Sequence, residues 1–374
     1  MLLLALPAHG AERVMVGHYA TFGDLPVEQI PWSSLTHLCH AFLRVDADGK
    51  PIGTDAVPNP ALTADGRRAG VPVLMTIGGG ATVKGLAVVA ADEQRLTEFV
   101  SEVTGLVEEG RYDGVHVGWE FPFDEATKRG HQRLIARLRS ALGELAAREG
   151  RDATYLLTAT VSPSPDFGQW VDIERVVGEA DWLEVAAYDM SGPWSRVAAL
   201  HAPLFASSRD PERESRSVAG AMRYWQHERG VPKEKLVVAA PLFGRSMPVA
   251  RPFDALDPDQ GDRHRVLPFS AVRRLVGEGW FAEWDNESRA PWLRKPAPRV
   301  SGAGASPLTP VDDEQADDGP ELITYEDRNS IHLKATWARE QGYRGMSFWA
   351  VHQDRMPDGR HWLINAANKA WPAE

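Results

Sequence analysis

The chain has 374 residues, more than one typical domain, and 43% of them are hydrophobic, which is enough for a large core. Its formal net charge of −11 argues against nucleic acid as a partner. Cys39 is the single cysteine, so an internal disulfide is excluded.

The amino terminus carries an apolar run, Leu2–Leu6, followed by mostly small residues at Ala8–Ala11. This order is typical of the end of a secretory signal. We therefore predict that residues 1–11 are the remnant of such a signal and that the protein is secreted or periplasmic. The alternative is a buried amino-terminal strand. No other segment approaches the ~20 apolar residues of a membrane span, so no membrane partner is expected.

Three strands are predicted next, at Val14–Tyr19, Leu35–Phe42 and Val71–Ile77, and a helix is predicted over Ala91–Glu109. The third strand ends at the three glycines 78–80. No Lys-Ser or Lys-Thr pair follows them, so they do not form a phosphate-binding loop.

The stretch Tyr112–Pro122 predicts a fourth strand with two unlike faces. Side chains alternate along a strand, so His116, Gly118 and Glu120 share one face, and that face is small or ionisable. The opposite face is apolar. A proline cannot donate to the ladder, so Pro122 ends the strand just after Glu120. Glu120 is therefore predicted at the carboxyl end of a strand, where barrel enzymes keep their chemistry.

The rest of the chain continues the alternation of strands and helices. Strands are predicted at Tyr155–Val161, Trp182–Asp189, Lys235–Pro241 and Tyr343–Trp349, with helices between them. Eight strands alternating with helices predict an α/β fold, the TIM (β/α)8 barrel. The connection between strands seven and eight contains a stretch of about 75 residues, 247–321, which is too long for an ordinary connection.

We interpret this long connection as a small α+β insertion at residues 247–321, within a barrel formed by residues 12–246 and 322–374. Residues 296–320 are rich in Pro, Gly, Ser and acidic side chains, so they are predicted to form a mobile loop.

Four segments resemble the family 18 glycoside hydrolases, the chitinase family. The family's fourth strand reads Asp-Gly-x-Asp-x-Asp-Trp-Glu-Tyr-Pro, and the residues that match it are Asp113, Gly114, Trp119, Glu120 and Pro122. Residues 188–194 resemble its Tyr-Asp-x-x-Gly-Pro-Trp segment, residues 242–246 its Pro-Phe-Tyr-Gly-Arg-Ser segment, and Tyr343–Trp349 its Gly-x-Met-x-Trp ending. The resemblance covers nearly the whole chain.

The resemblance implies roles for individual side chains. In this family the glutamate is the general acid, and an aspartate two residues earlier orients the acetamido group of the substrate, which acts as nucleophile. His116 and Gly118 stand here in place of two aspartates of that network. The catalytic residues implied are Glu120, Tyr188 and Asp189, and the substrate-binding residues are Trp349, Arg245 and Trp194.

The interior departs from the family at several other positions. His18 stands where tyrosine is usual and Glu184 where asparagine is common, and both are predicted to point into the barrel. An unpaired buried carboxylate is costly, so we predict that Glu184 pairs with His116 or His18 in a rebuilt polar network that supports the substrate site. Loss of function followed by drift is the other explanation.

We therefore expect a glycoside hydrolase that cleaves a β-linked polysaccharide or oligosaccharide, with Glu120 as general acid and without the acetamido-assisted route. One alternative is a chitinase-like lectin that binds glycan without cleaving it. Another is a hydrolase of a non-acetylated glycan in which Asp189, or less favourably Glu184, supplies a second carboxylate. No Cys/His cluster, EF-hand pattern or metal-binding His pair occurs in the sequence, so neither metal nor cofactor is predicted. A monomer is expected.

Overall fold

Strands make up two separate sheets in the computed structural model, which describes residues 13–213, 216–296 and 319–373. The predicted signal remnant and residues 297–318 of the predicted loop lie outside these ranges. The strands are β1 (Val14–Ala20), β2 (His37–Val45), β3 (Pro51–Ile52), β4 (Val73–Gly78), β5 (Gly114–Gly118), β6 (Leu156–Val161), β7 (Trp182–Val185), β8 (Leu236–Pro241), β9 (Phe243–Met247), β10 (Arg265–Pro268), β11 (Phe281–Asp285), β12 (Ala290–Arg294), β13 (Leu322–Thr324) and β14 (Gly345–Trp349).

The first sheet contains a closed barrel of eight parallel strands, to which β3 adds antiparallel to β2. Its order is β1-β14-β8-β7-β6-β5-β4-β2, and β2 pairs with β1 to close the ring. The predicted TIM barrel is therefore confirmed. Because all strands run in the same direction, their carboxyl ends meet at one mouth, and the side chains that follow each strand are brought together there.

Helices cover the outside of the barrel. The fourth helix begins with a capping box. The Asp124 carboxylate accepts a hydrogen bond from the backbone N–H of Thr127, and the Thr127 hydroxyl accepts one from the backbone N–H of Asp124. The helices are α1 (Pro60–Ala69), α2 (Val83–Ala91), α3 (Glu93–Gly110), α4 (Glu125–Arg148), α5 (Pro165–Gly168), α6 (Ile173–Glu179), α7 (Val218–Arg223), α8 (Phe269–Gly277), α9 (Arg328–Gln341) and α10 (Trp362–Ala370). Among the described residues, no helix combines the length and the apolar character needed to cross a membrane.

The second sheet is antiparallel and has the order β10-β9-β13-β12-β11. It lies between barrel strands β8 and β14 in the chain, as the sequence predicted for an α+β insertion. The sheet begins at Phe243 and ends at Thr324, so strands β9 and β13 extend beyond the predicted limits of 247–321. The short loop at Leu242 joins β8 directly to β9, which brings this sheet close to the barrel mouth.

The fourth barrel strand, β5, has the two faces that its sequence predicts. Val115 and Val117 are fully buried in the main core, among residues of the helical layer. His116 points to the interior, where it bonds to side chains of β6. The strand ends at Gly118, and Glu120 follows two residues later at the mouth. The burial of the valine face therefore fixes which side chains of β5 face the interior.

Candidate active site

The predicted site residues of the interior converge on one small cavity at the carboxyl end of the barrel. The cavity has a volume of about 10 Å³, close to the lower limit for one water molecule. Six of its lining residues were named from the sequence: His18, His116, Glu120, Glu184, Tyr188 and Trp349. Gly118, Thr76 and Thr160 also line it. The three other predicted residues, Asp189, Arg245 and Trp194, form a neighbouring group.

The carboxyl group of Glu120 stays partly protonated at neutral pH. Burial raises its pKa to about 7, His18 opposes this rise, and the negative charge of Asp189 adds to it. A carboxylic acid with a pKa near the working pH is suited to donate a proton to a leaving group. The environment of Glu120 therefore fits a general acid.

Asp189, by contrast, is held in its ionised form. Burial would raise its pKa, but hydrogen bonds and charges of Arg245 and His201 outweigh burial and hold the pKa below its usual value. The Arg245 guanidinium donates to both carboxylate oxygens, at 2.5 and 2.6 Å, and its carbon lies 4.9 Å from the centre of the Trp194 ring. Trp194 is exposed at the rim. Asp189, Arg245 and Trp194 thus form one contiguous group.

The backbone near Asp189 differs from the prediction. The sequence predicted a strand through Asp189, whereas β7 ends at Val185. Asp189 adopts φ of +57°, a left-handed conformation that no strand contains. The chain therefore turns before Asp189, and this turn directs the carboxylate towards Arg245 of β9 instead of leaving it on the strand face.

Glu184 pairs with both histidines of the interior. Its Oε2 lies 2.8 Å from His18 Nε2, and its Oε1 lies 3.8 Å from His116 Nδ1. Trp182 Nε1 also donates to Oε1, at 3.2 Å. Burial would raise the pKa of Glu184, but His18 and His116 together hold it well below its usual range, so the carboxylate is ionised. The predicted pairing of this buried carboxylate is present.

His116 is bound on both ring nitrogens by threonines that the sequence reasoning missed. Nδ1 lies 2.8 Å from Thr158 Oγ1, and Nε2 lies 2.8 Å from Thr160 Oγ1. Burial lowers the pKa of His116 to about 4, so the ring is neutral at neutral pH. Alternation along β6 places both threonines on one face, and this was the signal available in the sequence.

The sequence predicted no metal, yet three of these residues form a donor set that could hold one. The ligand atoms of His18, His116 and Glu184 lie within 4.8 Å of one another. Two imidazoles and a carboxylate are ligands that zinc accepts. However, both nitrogens of His116 already bond to threonines, so coordination would require His116 to leave one of them. The geometry fits a hydrogen-bonded network better.

Gly118 leaves free space where the family carries a carboxylate. A Cβ atom at this position would meet Ile77 O at 3.4 Å, Gly79 N at 3.5 Å and Thr76 Cγ2 at 3.6 Å, all ordinary contacts. By contrast, a Cβ at Gly78 would lie 2.3 Å from Gly118 O, and Gly78 has φ of +114°. The backbone therefore requires glycine at position 78, whereas it tolerates a side chain at position 118.

Aromatic side chains form the wall around the cavity. Trp349 stacks on Phe42 with ring centres 5.3 Å apart, and its ring centre lies 5.6 Å from that of His18. Tyr188 is half-buried, and burial of its hydroxyl together with the charges of Glu120, Asp189 and Glu184 raises the pKa of that hydroxyl well above the usual value. Tyr188 is therefore a neutral hydrogen-bond donor. Phe42 was not predicted from the sequence as part of the site.

Comparison with known proteins identifies relatives over most of the chain. The model of a family described as "Glycosyl hydrolases family 18" matches residues 14–354. An endochitinase of Manduca sexta is 24% identical, over 89% of this chain and 61% of that protein. This chain therefore spans less than two thirds of that relative.

Solved structures show the same fold. A class V chitinase from Nicotiana tobaccum, in complex with NAG4, matches with a TM-score of 0.79 and 22% identity, over 96% of this chain and 99% of that chain. A group IV chitinase of Ostrinia furnacalis, in complex with allosamidin, matches with a TM-score of 0.79 and 22% identity, over 96% and 98% of the two chains.

Proposed function

The chain belongs to family 18 of the glycosyl hydrolases, and from this premise we propose that it hydrolyses a β-linked polysaccharide or oligosaccharide with Glu120 as general acid. One observation carries the proposal. Glu120 lines the cavity at the barrel mouth, and its pKa is raised to about 7 while the pKa of the nearby Asp189 is lowered. Two neighbouring carboxyl groups whose pKa values are driven apart are typical of a site that needs one acid and one ionised partner.

The acetamido-assisted route is not part of the proposal. That route needs a carboxylate beside the acetamido nitrogen to stabilise its developing positive charge, and Gly118 supplies none. Losing electrostatic stabilisation of this kind commonly costs ~10² or more in rate. A substrate without an N-acetyl group is therefore as suitable as chitin, although relatives and solved neighbours are named chitinases.

The other predicted site residues take supporting roles in this proposal. Both oxygens of Asp189 are bound by Arg245, so we assign it the electrostatic role of keeping Glu120 protonated, and we do not assign it the role of nucleophile. Tyr188 donates a hydrogen bond to the sugar at the cleavage position. Trp349 offers a stacking face beneath that sugar, and Trp194 with Arg245 contacts the glycan at the rim.

A non-catalytic lectin is the second candidate, and the replacement of both network aspartates by His116 and Gly118 favours it. The raised pKa of Glu120 argues against it, because a binding site gains little from a neutral carboxylic acid at its centre. A reducing-end assay separates the two candidates. It should compare chitin oligosaccharides, chitosan, peptidoglycan and β-glucans with the unmodified protein and the Glu120→Gln variant.

We expect hydrolysis of at least one of these glycans, and we expect Glu120→Gln to lower its kcat by ~10² or more, because the variant keeps the shape of the side chain and removes its acidic proton. Glycan binding by both proteins should persist. Binding without hydrolysis by the unmodified protein would establish the lectin. Equal activity of both proteins would show that another group is the acid.

We also propose that the protein works outside the cytoplasm as a monomer. The apolar run Leu2–Leu6, followed by Ala8–Ala11, supports export. A reporter enzyme fused after residue 11 should be exported, and deletion of residues 2–11 should keep the reporter in the cytoplasm. Light scattering of the purified protein should give the mass of a single chain.

A further inference from the structure

The proposed function does not name the group that attacks the sugar. Two features bear on that group: the cavity beside Gly118, and the hydrogen-bonded pair of His18 and Glu184. We infer that His18, oriented by Glu184, is the general base that activates a water molecule held in this cavity. The inference rests on the proposed hydrolase function with Glu120 as acid. Glu184 does not touch the reacting atoms and is a positioning residue.

The hydrogen bond between His18 and Glu184 fixes the tautomer of the imidazole. An ionised carboxylate only accepts hydrogen bonds, so His18 Nε2, at 2.8 Å from Glu184 Oε2, must carry the hydrogen. In the neutral ring, Nδ1 then keeps its lone pair. Nδ1 is buried and has no hydrogen-bond partner among the described residues. The carboxylate–imidazole pair is an arrangement that presents a free ring nitrogen as a base.

The cavity supplies the place for the water. His18, Gly118, Thr76 and Glu120 all line it, and its volume of about 10 Å³ admits no more than one water molecule. A buried water needs polar partners, and the unpartnered His18 Nδ1 is one that would otherwise bear the full cost of burial. The space exists because Gly118 lacks a side chain.

The chemical step balances without any other reactant. The water oxygen forms a bond to the anomeric carbon while the bond from that carbon to the leaving sugar oxygen breaks. Glu120 gives its proton to the leaving oxygen, and His18 Nδ1 takes the proton that the water loses. Exchange with solvent then removes the proton from His18 and returns one to Glu120. A single displacement of this kind inverts the anomeric configuration, whereas a double displacement retains it.

The first test follows the anomer that forms initially, by proton NMR, during hydrolysis of a β-linked oligosaccharide by the unmodified protein. We expect the α-anomer to form first and the β-anomer to appear only by mutarotation. Hydrolysis that depends on Glu120 but forms the β-anomer first would overturn the base assignment and leave the proposed function intact. Absence of hydrolysis with every glycan would overturn both.

The second test uses three variants. His18→Gln keeps a donor for Glu184 but cannot take a proton, so kcat should fall by ~10² or more with KM near its original value. Gly118→Ala places a methyl group in the cavity with only ordinary contacts, so it should lower kcat by excluding the water. His40→Gln is the control, because this imidazole is equally buried, bonds to Tyr112 and does not line the cavity.

An unchanged kcat in His18→Gln or in Gly118→Ala would overturn the inference, provided that circular dichroism shows a folded protein. The metal content of the purified protein gives a further check. One zinc ion per chain that is lost in His18→Gln would also overturn it, because the metal would occupy the nitrogen that now bonds to Glu184.

Discussion

The interior of the barrel has two layers that the same strands build in different ways. The lower layer is apolar and close-packed, and the upper layer is polar. On three strands, consecutive inward-facing side chains, two residues apart, change from apolar to polar: Val16 to His18, Leu74 to Thr76, and Trp182 to Glu184. The lower layer consists of Val14, Val16, Cys39, Leu74, Trp182 and Val237, and the upper layer of His18, Thr76, His116, Gly118, Thr160 and Glu184.

The difference shows how one barrel separates stability from chemistry. Side chains of the lower layer are nearly or completely buried and carry no unpaired charge. The upper layer buries an ionised carboxylate, which is tolerated because His18 and Trp182 donate hydrogen bonds to it. Replacements in the lower layer should therefore act on folding, and replacements in the upper layer and at Glu120 should act on catalysis and its dependence on pH.

The largest stability effect is expected from the lower layer. Leu74→Ala removes a fully buried side chain that packs against its neighbours across the barrel, so the free energy of unfolding should fall by about 2–5 kcal/mol. Urea denaturation measures this loss. The kcat per folded molecule should stay unchanged, and a changed pH profile of kcat in a variant of normal stability would contradict the separation of the layers.

A stabilising effect is expected from Glu120→Gln at neutral and alkaline pH. The pKa of Glu120 is about 7 in the folded protein against a usual value of 4.5, so the folded state holds a proton that the unfolded chain releases. The favourable effect of this proton is complete below pH ~4.5 and is lost as the pH rises through ~7.

The variant has no such proton to lose, so its free energy of unfolding at pH 8 should exceed that of the unmodified protein by about 2–3 kcal/mol. The difference should disappear in urea titrations at pH 4. A variant that is less stable than the parent at pH 8 would show that the folded state does not raise the pKa of Glu120.

A smaller effect is expected from Arg245→Gln. Loss of the bidentate partner should raise the pKa of Asp189 towards its usual value, because an adjacent arginine commonly lowers an aspartate pKa by ~1–3 units. Asp189 would then become protonated at a higher pH, so the acid limb of the pH profile of kcat/KM should move upwards. An unmoved acid limb would show that ionisation of Asp189 does not matter for turnover.

Much of this organisation could be predicted from strand patterns, and the remainder depends on contacts between strands. Alternation along single strands sufficed to direct His18, His116 and Glu184 inwards, and the cost of a lone buried charge predicted their pairing. The family resemblance placed Glu120, Tyr188 and Trp349 at the mouth. The two threonines that bind His116 lie on the neighbouring strand β6, at levels set by the register of the sheet.

The position of Asp189 could not be read from alternation at all. Alternation holds only while a strand stays in its ladder, and β7 leaves the ladder after Val185. Asp189 itself adopts a left-handed conformation, which directs its carboxylate to Arg245. Arg245 belongs to β9, the first strand of the insertion sheet in the chain. A contact between two sheets that are distant in sequence has no signature in either segment alone.

Binding of a thiazoline that mimics the cyclised acetamido intermediate tests most directly whether this site has abandoned the acetamido-assisted route. Its ring nitrogen needs the carboxylate that Gly118 does not provide. Isothermal titration of the unmodified protein and of Gly118→Asp, whose Cβ would make only ordinary contacts, gives the comparison. We expect no binding below ~1 mM for the unmodified protein, with tighter binding for the variant. Tight inhibition of the unmodified protein by the thiazoline would contradict the proposed mechanism and restore the acetamido nucleophile.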